Sequence, residues 1–278
     1  TGTHGQAETL GWQSGGQINR CMAIFHCGSR YFVKLNDAGR SEMFEAEFEG
    51  LQELANSGTL KVPQPICRGT ATDQAFLVME YLPLRSHGNA AQLGEQLALQ
   101  HRVTRERFGW HRDNTIGLTP QINSGSDNWP EFWRQHRLGF QLSLAAKNGY
   151  GKLMEYGGRK LLEETAQFFN GYQPLPSLLH GDLWSGNHAY LDSGEPVIFD
   201  PAVYFGDRET DLAMTELFGG FGENFYAGYR AGFPPDEGYG TRKRLYNLYH
   251  VLNHLNLFGA GYLGQSESLI RSLVAELG

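Results

Sequence analysis

The sequence predicts an α+β fold in two lobes. A small antiparallel β-sheet lobe with one helix spans residues 1–82, and a mainly helical lobe spans residues 83–278. Three observations carry this reading. The first third consists of short β-branched and aromatic runs separated by glycine turns, with one stretch of helical periodicity among them. From about Asn89 onward, apolar residues recur at the period of helices with one buried face. Within that helical half, two apolar runs of strand length end in Asp and Asn side chains, where polar groups from separate strands can converge.

Composition narrows the possible functions. The chain has 278 residues, enough for a sizeable core, with 40% apolar and 19% charged residues. Net charge is −7 and no Lys/Arg block occurs, so the electrostatic footprint of a nucleic-acid binder is missing. No apolar run approaches the roughly 20 residues that cross a bilayer, and no charged-then-apolar leader opens the chain, so no membrane partner is expected. The expected location is cytoplasmic. Cys21, Cys27 and Cys67 are too few for a disulfide framework and have no zinc spacing; they read as reduced, small apolar residues.

In the first lobe, strands are expected at 10–12, 20–26 and 31–35. The turn Ser14-Gly15-Gly16-Gln17 can bring backbone N–H groups close to phosphates, although Gly-Gly between strands is also an ordinary hairpin. Lys34 is a cation inside an apolar strand. A helix follows, with Ser41 as N-cap and Phe44, Phe48, Leu51 and Ala55 on its buried stripe. Glu45, Glu49 and Gln52 form a solvated face, whereas Glu47 falls on the stripe. A carboxylate there needs a cation, and Lys34 is the natural partner. Such a strand Lys and helix Glu pair is how kinases hold a lysine against nucleotide phosphates. Strands at 65–69 and 75–80 lead into Tyr81-Leu82-Pro83, which reads either as a plain strand end or as a hinge whose backbone at Glu80 and Leu82 pairs with an adenine edge.

In the second lobe, helices are expected at 93–101, 129–144, 161–169, 244–257 and 269–277. Between the first two lies a loop at 108–123 without periodicity, rich in aromatic and amide side chains, which favours an ordered, functional loop. His101, His111, His250 and His254 read as satisfied core or surface residues. The most specific stretch is Leu178-Leu179-His180-Gly181-Asp182-Leu183-Trp184-Ser185-Gly186-Asn187, followed by Val197-Ile198-Phe199-Asp200. This pattern fits phosphoryl transfer. Asp182 would take the proton of an attacking hydroxyl, while Asn187 and Asp200 would hold the magnesium that bridges nucleotide phosphates. Trp184, two residues after the presumed base, would lie beside the accepting hydroxyl or pack as a core residue under the loop.

These motifs resemble the fructosamine (ketosamine) kinase family, a branch of the aminoglycoside-phosphotransferase-like, protein-kinase-like fold. The resemblance covers nearly the whole chain. It rests on Gly15-Gly16-x-Ile18-Asn19, Phe32-Val33-Lys34-Leu35-Asn36, Met43-Phe44-Glu45-Ala46-Glu47 and the 108–123 loop with Asp113, Asn114, Gln121 and Asn123. It rests most strongly on the His180 to Asn187 stretch and on Phe199-Asp200-Pro201-Ala202 with Gly206-Asp207-Arg208-Glu209 and Asp211.

What the resemblance implies is ATP-dependent phosphorylation of the sugar 3-hydroxyl of ketosamines, giving an unstable product that sheds its sugar and so serves deglycation. It implies Asp182 as base, Asn187 and Asp200 as Mg2+ ligands, Lys34 with Glu47 on the phosphates, and Gly15 and Gly16 in the phosphate loop. Glu80, Tyr81 and Leu82 would lie along the adenine, Asp211 would brace the catalytic loop, and Trp184 with Asp113, Asn114, Gln121 and Asn123 would face the substrate. The substrate would be small-molecule or protein-borne, and the chain a monomer or weak dimer. Gln17 stands where many relatives carry a redox-sensitive cysteine. Pro201-Ala202 after the metal Asp, and Trp184 in place of a lysine, set the chain apart from protein Ser/Thr kinases. The remaining alternatives are another small-molecule kinase of this fold, acting on an aminoglycoside, choline or a thiosugar, and a nucleotide-binding pseudokinase.

Overall fold

The computed structural model describes residues 7–13 and 18–278. The Gly15 and Gly16 expectation falls outside the described residues. The N-terminal part is a five-stranded antiparallel sheet of β1 (Glu8–Gln13), β2 (Arg20–His26), β3 (Ser29–Asp37), β4 (Pro65–Ala71) and β5 (Gln74–Glu80), in the order β1-β2-β3-β5-β4. The strand carrying Lys34 is therefore central, with Lys34 opposite Cys21 on one side and Leu77 on the other. Between β3 and β4 the chain forms α1 (Ser41–Asn56).

Ser41 does not cap this helix. A 3-10 turn at Ala38–Arg40 runs straight into it, and no side chain makes a capping hydrogen bond there. The buried face is Phe44, Ala46, Gly50, Leu51 and Leu54. Gly50 has a packing reason, since a Cβ there would sit 3.2 Å from Val203 Cγ2, so α1 lies close against the chain that follows Asp200.

The rest is mainly helical. It comprises α2 (Ala90–Gln100), the hairpin β6 (Asn114–Ile116) and β7 (Thr119–Gln121), α3 (Trp129–Trp133), α4 (Phe140–Ala145) and α5 (Arg159–Glu163). Next come β8 (Ser177–Leu179), β9 (His188–Tyr190), β10 (Pro196–Ile198) and β11 (Tyr204–Gly206), then α6 (Glu209–Leu217), α7 (Glu223–Gly232), α8 (Tyr239–Phe258) and α9 (Leu263–Glu276). The single helix expected at 129–144 is interrupted by a wide π-type turn at Arg134–Gly139, and the 108–123 loop contains a hairpin. Two helices had no counterpart in the sequence reading. In α6, Glu209, Thr210, Asp211 and Thr215 are all buried, so no apolar stripe marks it. In α7, Gly228 lets the backbone approach α2, where a Cβ would meet Ala91 O at 2.2 Å; a glycine that signals a turn in sequence is here a helix contact.

The strands ending at Leu179 and Ile198 are not neighbours. β8 pairs with β11 and β10 with β9, each pair antiparallel. Among the described residues no helix is long and apolar enough to cross a membrane.

Candidate active site

The site is built on the turn after β8. His180 and Gly181 donate their backbone N–H groups to Asp211 of α6, at 2.8 Å to Oδ2 and 2.9 Å to Oδ1. Asp211 is buried, and its Oδ2 also lies 3.2 Å from His101 Nε2. His101 Nδ1 faces the Tyr229 hydroxyl at 2.8 Å, and that hydroxyl accepts from Arg208. Burial works to raise the Asp211 carboxyl, but the bonds from His101 and the backbone outweigh it and hold the group below its ordinary value, fully ionised. The aspartate thus holds the His180–Gly181 turn through its backbone.

The ring of His180 ties this turn to the next one. Its Nε2 donates to Phe199 O at 2.9 Å, its Nδ1 accepts the Asp182 N–H at 3.2 Å, and burial keeps it neutral. Gly181 has φ +84°, and a Cβ there would lie 2.0 Å from Ala202 O, so only glycine fits. The Ala202 N–H in turn donates to His180 O at 2.8 Å. Two strand pairs that share no ladder are thereby fastened end to end. This is why Asp182 and Asp200 converge although their strands are not adjacent.

Asn187 donates its amide to Asp182 O at 2.8 Å and, more weakly, to Asp182 Oδ2 at 3.4 Å, and its amide oxygen has no hydrogen bond. Asp200 has φ +59°, a left-handed conformation that aspartate tolerates better than most residues. Its Oδ1 is 2.6 Å from Lys34 Nζ, and Glu47 Oε1 is 2.5 Å from the same nitrogen. Lys34 is only 4% exposed. Burial opposes its charge, but the two carboxylates prevail and raise its pKa, so it stays protonated. The expected Lys34–Glu47 pair is present; the Asp200 contact had no sequence signal, because 166 residues separate the partners. Asp182 is pushed up to about 7 by burial first, then by the negative charges of Asp200 and Asp211, with the Asn187 bond opposing.

These groups form the polar floor of a cavity of about 590 Å³. Aromatic side chains line the same cavity. Trp184 is 39% exposed, with its ring edge-on to Phe218 at 6.5 Å between centroids. His254, Phe258 and Tyr262 continue the wall, with His254 4.9 Å from Phe218 and 5.1 Å from Tyr262. Trp184 is thus no core residue. Gly186 makes room for it, since a Cβ there would lie 2.3 Å from the indole. The sequence reading placed His254 in the core or on the surface and named none of Phe218, Phe258 and Tyr262. The i, i+4, i+8 spacing of His254, Phe258 and Tyr262 was the available signal.

Several expected substrate residues lie elsewhere. Asp113, Gln121 and Asn123 do not line the cavity. Gln121 is buried, donating to Ala202 O at 3.0 Å and to Asn114 Oδ1 at 2.9 Å, while its own oxygen accepts from Tyr249. Asn123 is buried between Arg112 O, Asn114 and Arg137, and Asp113 accepts the Asn123 N–H. Asn114 borders the cavity, but its amide donates to Val203 O at 2.8 Å. The amides of Gln121 and Asn114 thus brace the carbonyls of Ala202 and Val203, just after Asp200. Nor do Glu80, Tyr81 and Leu82 line this cavity, and the Glu80 N–H is already bonded to Gln64 O at 2.8 Å.

With this geometry in place, the comparisons with known proteins are specific. The model of the family described as fructosamine kinase matches residues 1–276. A Synechocystis protein provisionally named a ketoamine kinase is 47% identical over 261 residues, 93% of this chain and 88% of its own. The chloroplastic protein-ribulosamine 3-kinase of Arabidopsis thaliana is 43% identical over 270 residues, 95% of this chain and 82% of its own. A crystal structure from Haemophilus somnus, provisionally named a fructosamine-3-kinase, superposes with a TM-score of 0.87 at 29% identity, covering 97% of this chain and 91% of that one.

Proposed function

Because the chain belongs to the fructosamine kinase family and is thereby an ATP-dependent phosphotransferase, we propose that its acceptor is the sugar 3-hydroxyl of ketosamines of the ribulosamine and fructosamine type. Phosphorylation there destabilises the adduct and serves deglycation in the cytoplasm. The observation that carries the reading is the set of aromatic side chains that lines one cavity together with Asp182. Trp184, Phe218, Phe258 and Tyr262 offer apolar faces to sugar C–H groups and π-faces to the secondary ammonium of a ketosamine. An aminoglycoside, with several ammonium groups, calls for a carboxylate-rich wall.

In this reading Asp182 accepts the proton of the attacking hydroxyl, held in place by His180, Asn187 and Asp211. Lys34, fixed by Glu47, pairs with the nucleotide phosphates. Residues 1–82 carry the nucleotide, with the Glu80 to Leu82 segment on the adenine side, and residues 83–278 carry the acceptor. The donor set suits magnesium. The amide oxygen of Asn187 is unbonded and Asp200 has one oxygen away from Lys34, while no cluster of three or more His, Cys, Asp or Glu among the described residues could hold a metal ion. Two protein oxygens are what Mg2+ takes when phosphates and water complete its shell. When bound there, it would neutralise charge building on the phosphate oxygens.

The test is ADP release with ATP, magnesium and a panel of ribulosamines, erythrulosamines and fructosamines, free and protein-borne, beside aminoglycosides. The reading expects turnover that depends on a ketosamine. Turnover with aminoglycosides alone overturns it.

A further inference from the structure

On the outer face of α1, read from sequence as solvated, Gln52 is exposed as expected, whereas Glu49 and its neighbour Glu53 are engaged. Glu45, Glu49 and Glu53 stand one helical turn apart and face residues 105–112 of the helical part. Both Glu53 oxygens lie 2.9 Å from Arg105 Nη2, and Trp110 Nε1 donates to Glu53 at 3.3 Å. Glu49 takes Arg112 Nη1 at 3.0 Å and His111 Nε2 at 2.8 Å. Arg112 also reaches Glu45 at 3.7 Å, and Arg68 of β4 reaches Glu49 at 3.7 Å.

The other side of this contact is itself anchored beside the site. Gly109 exchanges backbone hydrogen bonds with Phe205 at 2.9 and 2.8 Å, and the Arg105 guanidinium lies 4.4 Å over the Phe205 ring. Phe205 belongs to β11, which pairs with β8, the strand that delivers His180. One face of α1 is therefore fastened to the frame of the catalytic turn while another carries Glu47 to Lys34. Each residue along a helix advances about 1.5 Å, so a slide of two residues separates a Lys34–Glu47 contact that now measures 2.5 Å.

We propose that Glu49 and Glu53 are positioning residues for Lys34: their bonds to Arg105, Trp110, His111 and Arg112 clasp α1 to residues 105–112 and so keep Glu47 against the lysine that meets the phosphates. Single ion pairs at partly exposed positions contribute little, and it is the network of three carboxylates and several donors that acts together. The proposal rests on ATP use, and the identity of the acceptor does not enter it.

The test is a double-mutant cycle on the full chain, read as the Kd for Mg-ATP with no acceptor present. Glu49→Gln with Glu53→Gln is expected to weaken Mg-ATP by about fivefold, the order expected of two such pairs, while the same change in a Lys34→Ala background weakens it no further. Exchanging charges, Glu53→Arg with Arg105→Glu, in the chain carrying Glu49→Gln should recover part of the loss, because it restores a clasp without restoring the original residues. Equal weakening in both backgrounds, or unchanged Mg-ATP affinity beside a lowered Tm, overturns the proposal and leaves the clasp as a plain stabilising contact. A wrong choice of ketosamine leaves these titrations standing.

Discussion

Replacing Asp211 by Asn should damage the enzyme although residue 211 does not line the cavity. The carboxylate accepts from the His180 and Gly181 backbone N–H groups and from His101. An asparagine keeps one oxygen, so in either orientation its NH2 meets a buried N–H with no acceptor. Orphaning one buried donor costs about 1–3 kcal/mol, and the remaining bonds fall from charged to neutral strength, about 1 kcal/mol more. The sum is about 2–4 kcal/mol, and at about 2–4 °C per kcal/mol for a chain somewhat shorter than this one, Tm should fall by roughly 4–16 °C. The turn carrying Asp182 should also shift, and a displacement near 1 Å at a reacting group costs on the order of 100-fold. The assay is kcat at 20 °C, below the variant's melting range, beside a thermal melt. A Tm within about 2 °C of wild type with kcat within threefold would refute the bracing argument. A large melting loss with unchanged kcat would confine Asp211 to stability.

Two further outcomes follow from the same geometry. Asp200→Ala should abolish turnover and weaken Mg-ATP more than magnesium-free ATP, because it removes a hard oxygen ligand; since Lys34 keeps only Glu47, metal-free ATP should change little, and equal losses measured by titration would count against a metal role. Trp184→Ala should lower kcat/KM for ketosamines by about 2- to 30-fold, the range of a cation over an indole, while Tm and Mg-ATP affinity hold, since the ring is exposed; a large drop in Tm with unchanged KM would return Trp184 to a packing role.

The parts of the site that the sequence made legible are those where spacing along the chain fixes spacing in space. His180, Asp182 and Asn187 share one turn, Asp200 follows a short hairpin, and Glu47 falls on the buried stripe of a helix that must neutralise Lys34. The aromatic wall was not legible in the same way, because Trp184, Phe218 and Tyr262 meet only through the packing of α6, α8 and the catalytic turn. The 108–123 loop is legible only in part: Asn114, Thr115, Ile116 and Gly117 line the cavity, while Asp113, Gln121 and Asn123 do not. Asn and Gln amides that bind a sugar and amides that hold a neighbouring carbonyl are the same side chains, and only the fold shows Gln121 and Asn114 bonded to Ala202 and Val203. Glu49 looked solvated for a similar reason, since its partners His111 and Arg112 lie more than 60 residues away.

The central claim is that Asp182 directs the γ-phosphoryl group of ATP onto the 3-hydroxyl of a ketosamine. It is tested most directly by phosphorus and carbon NMR of the product formed from ATP, magnesium and a ribulosamine, run beside the Asp182→Asn variant. The account predicts phosphate on carbon 3, followed by loss of the sugar from the amine, and a rate reduced about 10²- to 10⁴-fold in the variant while Mg-ATP still binds. Phosphate on any other hydroxyl, or a variant within a few-fold of wild type, would contradict it.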